Sequence, residues 1–258
     1  MSNIYKAFEN DKAFIGFLTA GDPDLDTTEK CILEMEKAGA GLVEIGIPFS
    51  DPIAEGIVIQ GANIRALKSG TNLDKIFNLV KSVREKSNIP LVFLTYINPL
   101  FNYGYDRFFN TCKECGLDGI IIPDLPYEEK DEIKEVAAKY GIDIISLIAP
   151  TSNERIKTIA KDTSGFVYVV SSMGVTGVRK EITTDLDTIV KLIREVTKTP
   201  TAIGFGINTP EQAHHFSQVA DGVIVGSAIV KIIEKYGKDS PKYVYDYVKS
   251  MKDAMVKI

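Results

Sequence analysis

The feature that most constrains this chain is a rhythm. Short apolar runs rich in Ile and Val recur at roughly thirty-residue spacing, about the length of one strand–helix unit. Each is bounded by Gly, Pro, Asn or Asp. They predict strands at Phe14–Leu18, Leu42–Ile47, Leu91–Tyr96, Gly119–Pro123, Asp143–Ile148, Phe166–Ser171, Thr201–Phe205 and Gly222–Val225. Most are continuously apolar instead of alternating, as strands covered on both faces of a parallel sheet must be.

Amphipathic stretches fill the gaps. TTEKCILEMEKAG puts Cys31, Met35 and Ala38 on one stripe and stops at Gly39. LDKIFNLVKSVREK, YEEKDEIKEVAAKYG and DLDTIVKLIREVTK repeat the pattern with charged outer faces. Ser152 or Asn153 can cap the helix running to Ala160, and Thr209 the one that opens at Pro210. Eight such units without a linker or low-complexity break predict an α/β fold of the (β/α)₈ TIM-barrel type, one domain over residues 1–258. Extra helices are expected at the N-terminus (Ile4–Glu9) and the C-terminus (Pro241–Met255). A doubly wound open sheet fits less well, because the first strand–helix turn, Thr19-Ala20-Gly21-Asp22-Pro23-Asp24, lacks the G-x-G-x-x-G fingerprint.

Composition narrows the chemistry. Thirty basic against 35 acidic side chains give a net charge of -5, which argues against a broad nucleic-acid face but leaves room for a local phosphate pocket. No run approaches the eighteen apolar residues of a membrane span, and charges break up the first residues, so a cytoplasmic protein without a membrane partner is expected. Three cysteines fit a reducing compartment. Cys112 and Cys115 form a C-x-x-C with no second pair, and they read as buried helix thiols more readily than as a metal or redox site. The two histidines, His214 and His215, are adjacent on an expected helix, where surface or capping roles are the simpler reading. His-based triads and His-rich metal sites thereby lose their main component, and no metal is expected.

In barrels of this kind the chemistry sits at the carboxyl ends of the strands. Those ends offer Thr19, Glu44, Tyr96, Asp124, Ala149, Ser171, Gly204–Ile207 and Gly226–Ser227, with no lysine for a Schiff base. Glu44 stands out. Within Leu42-Val43-Glu44-Ile45-Gly46, alternation aims Val43 and Ile45 one way and Glu44 into the barrel mouth. A carboxylate buried there has its pKa raised toward the range useful for proton transfer; a structural glutamate satisfied by backbone or Tyr partners is the alternative. The long following loop carries Glu55, either a second carboxylate facing Glu44 or a solvated loop charge. Ser172–Val178, with Thr176 between two glycines, suits a mobile lid or a plain turn. Gly204-Phe205-Gly206-Ile207 and Val225-Gly226-Ser227-Ala228 are glycine-bearing turns, the second opening a short helix, and together they suit a phosphate, with plain tight turns as the alternative.

In this order, the motifs resemble the tryptophan synthase α subunit family from about Phe14 to Ile233. The most specific stretch runs from Val43 through Gly56 (VEIGIPFSDPIAEG), supported by Phe17-Leu18-Thr19-Ala20-Gly21-Asp22-Pro23, Thr95-Tyr96 with Asn98-Pro99, Pro123-Asp124-Leu125-Pro126, Gly174-Val175-Thr176-Gly177, Gly204-Phe205-Gly206-Ile207 and Gly226-Ser227-Ala228-Ile229-Val230. The resemblance implies a lyase that splits indole-3-glycerol phosphate into indole and glyceraldehyde 3-phosphate by a retro-aldol step. It implies no cofactor in this chain and a β-subunit partner that carries pyridoxal phosphate, in an αββα tetramer.

By position, Glu44 matches the family's catalytic acid/base, and Glu55 falls where the family ordinarily has aspartate, accepting from the indole N–H. Phe17, Leu94, Tyr96 and Ile121 match the indole pocket, with Tyr168 close by. Thr176 matches the lid threonine. Gly177, Gly206, Gly226 and Ser227 match the phosphate cradle, with Phe205 in the same turn. The extra methylene of Glu55 displaces its carboxylate by about 1.5 Å when extended. Ile57 and Val58 also depart from the family's usual Pro and Thr. The family's interface implies partner contacts near Asp51-Pro52 and Asn98-Pro99-Leu100-Phe101. Two other readings stay open: a stand-alone indole-3-glycerol-phosphate lyase, and a weakly active subunit whose main task is to activate the β subunit. A sugar-phosphate isomerase on the same barrel is a more distant rival.

Overall fold

The computed structural model describes residues 2–171, 186–204 and 206–256. Nine parallel strands follow the expected rhythm: β1 (Ala13–Thr19), β2 (Leu42–Gly46), β3 (Leu91–Leu94), β4 (Gly119–Ile121), β5 (Asp143–Ile145), β6 (Leu147–Ile148), β7 (Val167–Val170), β8 (Thr201–Gly204) and β9 (Gly222–Val225). Their order is β5-β4-β3-β2-β1-β9-β8-β7-β6. The two ends of that order, β5 and β6, are separated only by Ser146, so the sheet returns to its own starting strand as a nearly closed barrel.

The single fifth run expected from sequence is thus divided. Its first half pairs with β4 (Ile144 opposite Ile120) and its second with β7 (Leu147 opposite Tyr168). Side-chain alternation nevertheless continues through Ser146: Ile144 and Ile148 join the outer core, while Ile145 and Leu147 face the interior. The division marks a change of pairing partner within one extended segment. No sequence signal distinguishes it from an unbroken strand.

Although the strands read as continuously apolar, each divides its side chains between two cores. Val43, Ile45, Phe93, Ile120, Val169, Ile203 and Val223 pack outward under the helices. Leu42, Val92, Ile121, Ile145, Tyr168, Ala202 and Ile224 fill the barrel. Such two-sided burial, rather than any intrinsic strand preference, selects the Ile/Val-rich runs.

The helices between them begin and end where local chemistry says they should. Asp24 accepts from the Thr27 N–H at 2.8 Å and starts the helix Leu25–Lys37, slightly earlier than its apolar stripe suggests. Ser152 caps Asn153–Lys161, and Thr209 with Gln212 forms a capping box on Pro210–Val219. Cys112 and Cys115 are buried in the helix Tyr105–Cys115, and His214 bonds the Ala254 carbonyl at 2.9 Å. The N-terminal segment Ile4–Phe8 is a 3₁₀ helix, one residue shorter than the expected helix, and the C-terminal helix spans Ser240–Ala254. Ile4 belongs to the interior core, so this segment plugs the amino-terminal end of the barrel. The opposite end is left for the loops.

Candidate active site

β2 carries Glu44 between Phe17 of β1 and Val92 of β3. Its neighbours Val43 and Ile45 are fixed in the outer core, and that forces Glu44 inward. The side chain is 1% exposed, and its Oε1 has no hydrogen-bond partner among the described residues. Burial alone pushes its pKa up from 4.5 to about 8. Tyr168 lies close enough that the Glu44 charge adds to burial in raising the phenol. A glutamate kept for structure would be satisfied by backbone or Tyr partners; here Oε1 is left without one among the described residues, although Tyr168 lies beside the carboxyl.

The loop after β2 returns Glu55 to the same cavity before the helix Ile57–Lys68 begins. Glu55 is 5% exposed. Asn63 Nδ2 donates to its Oε2 at 2.6 Å, and the Tyr96 hydroxyl bonds the same carboxylate. Burial outweighs both donors and raises its pKa to about 7. Tyr96 Oη in turn accepts from the Ala54 N–H at 3.2 Å, and its ring packs on Phe49 with centroids 5.3 Å apart.

The two carboxyls share their cavity with Phe17, Leu94, Tyr168, Gly206, Gly226 and Ser227, all singled out from sequence. Tyr96 instead reaches it through Glu55, and Ile121 lies deeper, in the interior core beneath. Thr176, Gly177 and Phe205 lie outside the described residues. Sequence reasoning missed Ile59, Leu147 and Ile224 on the wall and gave no pocket role to Ala54, Pro123 and Ile207, which it quoted only within motifs. Apart from Ala54, Pro123 and Ile207 in the loops, these are aliphatic side chains like dozens of others, and only barrel closure brings them together. Counting space open to solvent, the cavity measures about 660 Å³.

Two glycines make room for the aromatic walls. A Cβ on Gly46 would stand 2.7 Å from Phe17 Cζ, and one on Gly204 would stand 2.4 Å from Tyr168 Oη. Glycine interrupting an Ile/Val-rich strand is the signal that could have found them.

Opposite the carboxyls, Gly226 precedes the ten-residue helix Ser227–Tyr236, whose first turn no side chain caps. Its leading N–H groups have no partner within the helix and point with the positive end of the helix dipole toward an anion. Gly206 beside it adopts φ +87°, a conformation glycine takes without strain. Among the described residues no cluster of His, Cys, Asp and Glu could hold a metal ion. The arrangement can therefore grip an anionic group at one end and an apolar ring in the middle, with two carboxyls that titrate near neutrality beside the ring.

A family model described as tryptophan synthase alpha chain matches residues 5–257. The chain is 49% identical over 255 residues to the tryptophan synthase alpha chain of Lacticaseibacillus casei, covering 99% of this chain and 96% of that relative. The corresponding protein of Caldanaerobacter subterraneus subsp. tengcongensis is 49% identical over 249 residues, covering 96% and 95% of the two chains. Among solved structures, a chain of the tryptophan synthase α2β2 complex from Pyrococcus furiosus superposes with a TM-score of 0.87 at 39% identity, covering 94% of this chain and 98% of that one. Tryptophan synthase subunit alpha from Legionella pneumophila str. Paris gives a TM-score of 0.87 at 36% identity, covering 99% and 98%.

Proposed function

The chain belongs to the tryptophan synthase alpha chain family, and from that premise we propose which of its residues perform the family's lyase step. The reaction is the cleavage of indole-3-glycerol phosphate to indole and glyceraldehyde 3-phosphate, and the partner is the tryptophan synthase β subunit. We place pyridoxal phosphate on that partner and no cofactor in this chain.

Cleavage needs a proton on the indole carbon that leaves. It also needs removal of the hydroxyl proton from the glycerol carbon that becomes the aldehyde. As the C–C bond breaks, its electron pair returns to the ring and the hydroxyl oxygen becomes the carbonyl. Glu44 serves both needs in turn. It begins protonated, because burial holds its pKa at about 8, and gives that proton to the ring carbon. The resulting carboxylate then takes the hydroxyl proton.

Glu55 must be ionised to accept from the indole N–H and offset the positive charge that protonation puts on the ring. Phe17, Leu94 and Tyr168 form the apolar slot for the ring, with Ile121 beneath it and Tyr96 behind Glu55. Gly206, Gly226 and Ser227 receive the phosphate. Thr176, Gly177 and Phe205 complete the lid and cradle in this reading, which rests for them on the resemblance of their motifs alone.

The observation that carries the proposal is the meeting of Glu44 and Glu55 in one largely apolar cavity, each lifted toward neutrality by burial. Docking of the β subunit finds support in large apolar side chains left in water: Ile53 in the loop before Glu55, Ile57 at 86% exposure and Phe101 at 68%. We also take residues 1–258 as one barrel domain working in the cytoplasm; three buried free thiols suit a reducing compartment.

The test is indole release from indole-3-glycerol phosphate by the purified chain, with and without added β subunit. Slow release alone and faster release with the partner is the expected result. Fast release that ignores the partner would favour a stand-alone lyase, and release too slow to detect alone would favour a mainly regulatory subunit. No indole under either condition would overturn the reading.

A further inference from the structure

Glu55 is held from one side by a single helix. Gln60 Nε2 donates to the Glu55 backbone carbonyl at 2.7 Å, and Asn63, nearly one turn later on Ile57–Lys68, donates to the Glu55 carboxylate at 2.6 Å. Both bonds reach backward over the start of the helix, where the axial dipole favours a negative charge. From the other side comes Tyr96. Because Tyr96 Oη already accepts from the Ala54 N–H, its own proton is free to be given to Glu55. The carboxylate therefore receives one side-chain N–H and one O–H, and Asn63 itself is 3% exposed, so water does not substitute for either.

We propose that Asn63 is a positioning residue for the lyase step: it acts through Glu55, fixing where that carboxylate stands in the cavity and favouring its ionised form. This rests on the assignment of Glu55 as the group that meets the indole N–H. Asn63 also accounts for how a glutamate, with its longer arm, can serve there. The tip is tethered to the helix directly behind it, which prevents the extra methylene from letting the carboxylate wander. A displacement of about 1 Å at such a group costs on the order of 10²-fold in rate.

Among the described residues, the titratable groups facing Glu55 are Tyr96 on the segment after β3 and, in the same cavity, Glu44 and Tyr168, with Asp124 acting on Tyr96 from the loop after β4. Arg65, on the same helix as Asn63, is turned away to Asp22 and Glu234. Asn63 therefore supplies a large share of the stabilisation that the charged form of Glu55 receives.

The experiment is the pH dependence of kcat/KM for indole formation in the Asn63→Leu and Asn63→Asp variants, each also made in a Glu55→Gln background. Removing the amide donor is expected to move the acid limb of the profile upward by about one pH unit. Asn63→Asp, which keeps the shape but offers a like charge, is expected to move it at least as far. Neither change should alter the profile further once Glu55 is Gln. Should Asn63→Leu fail to fold, the isosteric Asn63→Asp still decides the matter. An acid limb that stays in place in a folded variant would overturn the inference alone, provided Glu55→Gln is impaired. A fully active Glu55→Gln enzyme would remove the role of Glu55 and the inference with it.

Discussion

Replacing Glu44 by Gln is expected to slow indole formation on the order of 10³-fold, the usual worth of a positioned acid/base group, while making the fold more stable. Gln keeps the shape of the side chain but can neither give nor take the proton. The stability gain follows from linkage. Glu44 titrates at about 8 in the folded chain against an ordinary 4.5. Between those values the folded protein holds a proton that the unfolded chain has released, so folding is progressively penalised as pH rises through that window. Below about 4.5 the penalty is absent, and above about 8 it is complete. At pH 7 it amounts to about 3 kcal/mol, and Glu44→Gln removes it. Urea titrations of both proteins from pH 4 to 8 read this directly. Curves that stay parallel across the range would contradict the burial argument, and an active variant would contradict the assigned role.

Asp118→Ala is expected to destabilise the fold by about 3 kcal/mol, the low end of the range for stripping one partner from a buried ion pair, because Arg84 is only half-buried. Asp118 stands one residue before β4 and gathers three segments. Its Oδ1 accepts from the Asn3 N–H at 2.8 Å, which ties down the amino-terminal plug. Its Oδ2 accepts from the Leu91 N–H at 3.0 Å, at the start of β3, and from Arg84 Nη2 at 2.8 Å. Arg84 is also committed to the carbonyls of Gly116 and Ile89 and is already disfavoured as a cation by burial. Without Asp118 that guanidinium stays half-buried and unneutralised, and two backbone donors lose their acceptor. Denaturant unfolding measures the loss; a change below about 1 kcal/mol would show that the plug and β3 are held by packing alone.

Much of this could be read before any coordinates, for reasons visible residue by residue. The strand rhythm was legible because a parallel barrel buries both faces of every strand, so Ile and Val accumulate in blocks such as Leu42–Ile47. Glu44 was legible because a carboxylate inside such a block has few ways to be stable. Thr209 and Ser152 announced their helices through side-chain oxygens that act locally.

What stayed hidden depends on closure in space. Asn63 sits eight residues beyond Glu55, and only the turn of its helix brings the amide back to the carboxylate. Leu147, Ile207 and Ile224 are unremarkable apolar positions until two strands and the loop after β8 deliver them to one wall. Gly46 and Gly204 matter for the rings of Phe17 and Tyr168, which arrive from neighbouring strands. The change of partner at Ser146 leaves no mark on a pattern whose alternation it does not disturb.

The pH profile of kcat/KM for indole formation tests the central claim most directly, because it reports the acid and the base of the free enzyme together. With Glu55 required as its anion and Glu44 required with its proton, a bell is expected whose limbs fall near 7 and near 8, the values that burial sets for the two carboxyls. A rate that rises only near pH 4 to 5 and then stays flat into alkaline solution would mean that both carboxyls titrate as they do in water. In that case the buried, proton-shuttling Glu44 described above would not exist.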